Sequence, residues 1–267
     1  MPFSGRNIIK STACLTLGLF FAGCGIMPGG RRRGDGATLS PGWARVGRAV
    51  KRAVSMPEVW APAAGALALQ AGGADKKISA WASRRTPVYG SRSRASKAGK
   101  DLITVSNAVY WGSVLAAPGG DRVNEWACAK AKTAAAGIAA NTAAFQLTLT
   151  LQKITKRERP NGGGKSSFPS LHTAYAASQT MSAYENFLSL EPAPAGAALA
   201  RGALDSIPVA MAWSRVEAKA HYLSDTLAAM GLASFLSVFV DEAFLGGSAM
   251  SLETAGKTPM LVCRLSF

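Results

Sequence analysis

The chain has only two histidines, His172 and His221, and each lies among residues suited to phosphoryl chemistry. In the stretch from Ser214 to Asp225, helical spacing puts His221 and Asp225, four residues apart, on one face. A carboxylate so placed holds an imidazole in one tautomer and leaves its other nitrogen free to attack phosphorus. Arg215 adds a guanidinium fork for phosphoryl oxygens. In the stretch from Ser166 to Thr173, after the loop Asn161 to Gly164, Pro169 can open a helix. Ser170, nearby N–H groups and the positive helix end then form a seat for an anion, and His172 on the first turn can give a proton to a departing oxygen. The stretch from Lys153 to Pro160 gathers Lys153, Lys156, Arg157 and Arg159 where Pro160 discourages a helix from continuing. Each stretch alone has an ordinary reading as well. Basic helix ends are favourable beside the helix dipole, a histidine after proline is often structural, and His221 with Asp225 is also an ordinary polar pair.

Together the three stretches resemble the type-2 phosphatidic acid phosphatase family, kin of bacterial acid phosphatases and vanadium haloperoxidases. The family's motifs run K-x6-R-P, P-S-G-H and S-R-x5-H-x3-D. The third is complete here as Ser214, Arg215, His221 and Asp225; the second is present as Pro169, Ser170, Leu171 and His172; the first keeps Arg159 and Pro160. The resemblance implies that His221 is the nucleophile, that Asp225 orients it, and that His172 is the general acid and base. It implies that Arg159, Arg215 and Ser170 hold the phosphate, with no metal or other cofactor; Lys153 either joins them after a local shift or a cation is missing. It also implies an all-α helical bundle. Two positions depart from the pattern: Gln152 stands at the motif lysine, with Lys153 one residue late, and Leu171 replaces the motif glycine.

The elements that must carry these residues read as helices. Trp43, Val46, Val50 and Val54 share a face in a basic amphipathic helix, which either lies on a membrane or covers the core. Further helices are expected near 58–71, 75–84 and 101–116, with the serine and basic stretch 91–97 as an interruption. Between Lys132 and Lys153 lie twenty uncharged residues, long enough to cross a bilayer. Asn141, Gln146 and several threonines favour a buried helix there instead. Two partly alternating runs around Gly256 and Pro259 suggest a short C-terminal β-hairpin.

Residues 1–23 have the order of a secretory signal, and Phe21-Ala22-Gly23-Cys24 resembles a lipobox, with Cys24 the lipidated residue. Residues 24–40 are expected to be a flexible basic tether, and 41–267 the helical domain. This implies a lipid-anchored protein of the bacterial cell envelope with its domain in the periplasm; the sequence leaves open which membrane holds it. Cys128 and Cys263 either pair or stay as thiols.

The net charge is +15, and residues 1–100 hold 17 Lys and Arg against only Asp35, Glu58 and Asp75. Such a front suits an anionic membrane surface beside a lipid anchor. No nucleic-acid recognition motif accompanies it. The expected function is hydrolysis of a phosphate monoester or pyrophosphate on a membrane lipid through a phosphohistidine. The alternatives are an acid phosphatase for soluble esters, a vanadate-dependent halide oxidase, and a catalytically weakened phospholipid-binding lipoprotein.

Overall fold

The computed structural model of the chain describes residues 32–247 and two short strands beyond them. The architecture is an all-helical bundle. Its helices are α1 (Trp43–Ser55), α2 (Pro57–Ala71), α3 (Ala74–Arg85), α4 (Arg92–Ala116), α5 (Val123–Thr155), α6 (Leu171–Leu188), α7 (Pro194–Glu217) and α8 (Leu223–Val240), followed by a π turn at Asp241–Leu245. Leu252–Glu253 and Met260–Leu261 pair antiparallel, Leu252 opposite Leu261. The rest of the expected hairpin region, with Cys263, lies outside the described residues, as does the signal and lipobox region with Cys24. Cys128 is an exposed free thiol.

Alanine-rich sequence gives these helices both propensity and close approach. α6 is the axis of the bundle, packed on α4, α5, α7 and α8. Where α5, α6 and α8 meet, the buried side chains are Ala144, Ala174, Ala177, Ala229 and Ala233, and Ser178 bonds Ser237 across the α6–α8 contact at 3.0 Å. Two helix glycines allow close contacts between elements. A Cβ at Gly137 of α5 would lie 2.3 Å from the Tyr110 hydroxyl, and one at Gly231 of α8 would lie 2.7 Å from the Val59 carbonyl of α2.

Several expectations are corrected. The stretch 91–97 does not interrupt a helix: Ser91 caps α4 by accepting the Arg94 N–H at 3.2 Å, and the helix begins at Arg92. The tether is not free throughout 24–40, because Arg33 is 2% exposed. Arg33 pairs with Asp241 and reaches Asn186 at 3.3 Å, and its N–H bonds the Pro118 carbonyl at 3.0 Å. α1 turns the opposite way from its apolar stripe. Ala49 and Ala53 face inward, Arg52 forks onto buried Glu185 at 2.8 Å, and Trp43, Val50 and Val54 are exposed.

α5 is not a buried helix. Its most apolar window is only 22% buried, because one narrow face meets the bundle, the small residues Ala129, Thr133, Gly137, Ala140, Ala144 and Thr148 together with Lys130 and Gln152. By length and composition, Val123–Thr155 and Leu223–Leu245 could each cross a membrane, but the second is largely core, its apolar window 56% buried.

Candidate active site

The site forms at one end of the bundle, where α5 ends, α6 begins, α7 ends and α8 begins. α5 stops at Thr155 because Lys156 adopts a left-handed conformation, φ 46°. The loop that follows is tied by Arg159 N–H to the Gly164 carbonyl at 2.9 Å and Ser167 N–H to the Arg157 carbonyl at 3.0 Å. Phe168–Pro169 is a cis peptide. α6 starts at Leu171 with Ser170 at its N-cap, so Pro169 precedes the helix rather than opening it, and His172 does lie on the first turn.

His221 is not on a helix. α7 ends at Glu217, Lys219 is left-handed at φ 58°, and the Ala220 and His221 N–H groups turn back to the Arg215 carbonyl at 3.0 and 3.3 Å. α8 starts only at Leu223. The expected shared face of His221 and Asp225 therefore does not exist, and a different arrangement holds the imidazole. His221 Nδ1 lies 2.7 Å from the Ser167 carbonyl oxygen. A carbonyl only accepts, so Nδ1 carries the proton and Nε2 keeps its lone pair. Asp225 acts one step back. Its carboxylate accepts from the Ser167 hydroxyl at 2.5 Å, the Tyr222 N–H at 2.9 Å and Arg157 at 2.6 Å, and its carbonyl accepts the Ser170 N–H at 3.1 Å. Asp225 thus fixes the backbone on which both histidines depend.

Electrostatics set the protonation states. His221 is 1% exposed. Burial, with Arg215 and Arg159 nearby, lowers its pKa to about 3 against the opposing pull of the Ser167 carbonyl. His172 is lowered to about 4 by burial, Arg215, Arg159 and Lys100. Burial also lowers the Arg215 pKa, helped by Arg159. Burial raises Asp225 to about 6 against the pull of Ser167 and Arg157, so it is an ionised acceptor at neutral pH. Neither Arg159 nor Arg215 has a carboxylate partner among the described residues, and the Nε of each is buried without a hydrogen bond. Two cationic forks without counter-charge beside two neutral imidazoles make a pocket suited to an anion.

The four cations expected to act together at the end of α5 separate. Arg159 turns to the histidines. Arg157 bridges Asp225 and Asp75, each at 2.6 Å, and lies 4.3 Å above the Tyr222 ring. Lys153 and Lys156 are exposed. Lys153 is not brought to the site: the inward position belongs to Gln152, whose Nε2 donates to the Pro169 carbonyl at 2.8 Å, and the next residue on a helix is turned by about 100°. Ser170 is fully buried and accepts from the Thr173 hydroxyl at 3.1 Å, leaving its own proton to donate.

Sequence reasoning missed Ser167, Asp75 and Lys100, and it placed Arg157 among the cations of the α5 end rather than as the bridge between Asp75 and Asp225. Ser167 adjoins the second motif, so its neighbourhood was visible. Asp75 bonds the Ser224 N–H at 2.9 Å from a helix far away in the chain, and no local pattern announces it. No protein-family model, curated protein or solved structure matches the chain.

Proposed function

We propose that the chain is a phosphatase of the type-2 phosphatidic acid phosphatase kind, acting on a phosphate monoester or pyrophosphate of a membrane lipid. The observation that carries this reading is the pairing of a nucleophile with an anion seat. His221 is neutral and tautomer-fixed with Nε2 free, beside Arg159 and Arg215, whose Nε atoms are buried without partners.

In the first step His221 Nε2 attacks phosphorus, the bond from phosphorus to the leaving oxygen breaks, and His172 passes its proton to that oxygen. The Ser167 carbonyl accepts from Nδ1–H throughout and offsets the positive charge that the ring gains. In the second step His172 takes a proton from water, the oxygen attacks phosphorus, the P–N bond breaks and inorganic phosphate leaves. Arg159, Arg215 and Ser170 hold the non-bridging oxygens, where most catalysis of phosphoryl transfer resides. An arriving phosphate dianion raises the His172 pKa and supplies the protonated acid that the free site lacks.

A lipid substrate is supported by the surface around the site. α3 lies across this end, with Asp75 on Ser224, Ser79 on the Leu223 N–H and Trp81 against Trp213. It carries exposed Lys76, Lys77, Arg84 and Arg85, and Trp81 and Val88 are exposed beside them. Lipidation at Cys24 would tether the domain in the periplasm.

The test is release of phosphate from vesicle-borne phosphorylated lipids and from a small aryl phosphate, in EDTA, by the protein and by His221→Ala. The reading expects preference for the lipid, an acid-labile phosphoprotein on rapid quench, and loss of both activities in the variant. Turnover that survives His221→Ala would sink it.

A further inference from the structure

We propose that Lys100 is the third cation of the phosphate pocket, reaching from α4 to the position for which the sequence offers no lysine at residue 152. This assignment rests on the phosphatase reading for its purpose, though its geometry stands apart from it.

The α4–α6 contact sets the register. The Tyr175 hydroxyl donates to Asn107 at 2.7 Å, and further along the two helices the Asn186 amide donates to Ser113 at 3.0 Å. The helices therefore run in the same direction, their N-termini at the site end. Lys100 lies two turns before Asn107 on the same face of α4, and His172 lies one turn before Tyr175 on α6.

The adjoining backbone is pinned over the pocket. A Cβ on Gly99 would lie 2.9 Å from the Ser214 hydroxyl and 3.5 Å from Arg215 Nη1, so only glycine lets α4 come this close. Lys100 is exposed and makes no ion pair among the described residues; the neighbouring acid, Asp101, is taken by Lys97 at 3.1 Å. Its charge acts on His172 alongside those of Arg159 and Arg215. The other candidates are disposed of otherwise: Gln152 is committed to the Pro169 carbonyl, and Lys153 and Lys156 are exposed beyond it. A flexible lysine at the mouth of the pocket meets phosphate as a point charge, whereas the two arginines grip it as forks.

The experiment compares Lys100→Met, Lys153→Met and the unmodified protein for dissociation constants of inorganic phosphate and orthovanadate, aryl phosphate turnover, and the imidazole NMR titration of His172. Loss of one charged hydrogen bond corresponds to roughly tenfold to a hundredfold. Lys100→Met is expected to weaken both anions and lower kcat/KM by about that factor, and to raise the free-protein His172 pKa. Lys153→Met should change none of these. Anion affinity within twofold of the unmodified protein in Lys100→Met overturns the proposal, whatever turnover does. His221→Ala that keeps turnover overturns the parent reading instead, and leaves the anion affinities to judge Lys100.

Discussion

At the scale of single residues, burial keeps both imidazoles neutral; in the proposed mechanism that suits His221 as nucleophile and makes His172 a reluctant acid. The free protein holds His172 at about 4, so its imidazole is neutral over most of the working range. A bound dianion favours the charged ring and raises that pKa. Because kcat/KM reports the free protein and kcat the complex, activity that needs protonated His172 falls with rising pH in both profiles. The fall should begin near pH 4 in kcat/KM and at distinctly higher pH in kcat. Profiles over the range where the fold persists, corrected for substrate ionisation, check this; coincident descending limbs would remove His172 from the acid role. Arg157 makes a second, independent case. It is the cation shared by Asp75 and Asp225, whose side chains are 5% and 0% exposed. Removing one partner of a buried ion pair costs about 3–5 kcal/mol. Arg157→Ala should therefore lower stability by about that much in urea unfolding, whereas Lys156→Ala, with its exposed side chain, should stay within about 0.5 kcal/mol.

At the scale of elements, the small-residue contacts explain both the packing and what the sequence concealed. Gly231 faces the Val59 carbonyl, a backbone atom that cannot swing aside, and Gly202 of α7 is exposed with nothing within 4 Å of its Cβ position. Gly231→Ala should destabilise by about 1–3 kcal/mol through overpacking, and Gly202→Ala should stabilise by about 0.5–1 kcal/mol through helix propensity. Thermal unfolding of the two variants gives opposite signs if the α2–α8 contact is as described. Alanine periodicity made these helices legible along most of their lengths, and motif spacing made the two histidines legible as a pair. The turn that ends α7 was not legible: Lys219 adopts a left-handed conformation with no glycine or asparagine to announce it. His221 therefore leaves the helix, and its partner becomes a backbone carbonyl, which no side-chain pattern records. α1 misled for a different reason. Its valine and tryptophan stripe is larger than its alanine stripe, yet Ala53 packs with Leu188 of α6 and Val238 of α8, so the weaker apolar face goes inward.

At the scale of the whole molecule, the two basic regions that the sequence runs together lie at opposite ends of the bundle. Ala53 of α1 packs with Leu188 and Val238, near the last turns of α6 and α8, while the site lies at their first turns. His172 and Leu188 are separated by about 24 Å along α6 at 1.5 Å per residue. Exposed Arg48 and Lys51 on α1 therefore sit far from the site, and Lys76, Lys77, Arg84 and Arg85 are exposed on α3, the helix whose Asp75 and Ser79 bond the start of α8 at the site end. If the substrate is the lipid phosphate proposed above, the pocket end must meet the bilayer, and the α3 cations are then the residues that would dock it. Each basic residue near an anionic surface contributes about 1 kcal/mol, and the attraction decays within a Debye length. Reversing the four α3 charges to glutamate should abolish binding to phosphatidylglycerol vesicles at low salt. It should also lower lipid hydrolysis by at least tenfold and leave aryl phosphate turnover within about threefold, since none of the four contacts the histidines. Reversing Arg48 and Lys51 should weaken vesicle binding only slightly and spare lipid hydrolysis. The opposite ranking in vesicle flotation would place α1 against the membrane and turn the site toward solvent, where soluble esters become its natural substrates.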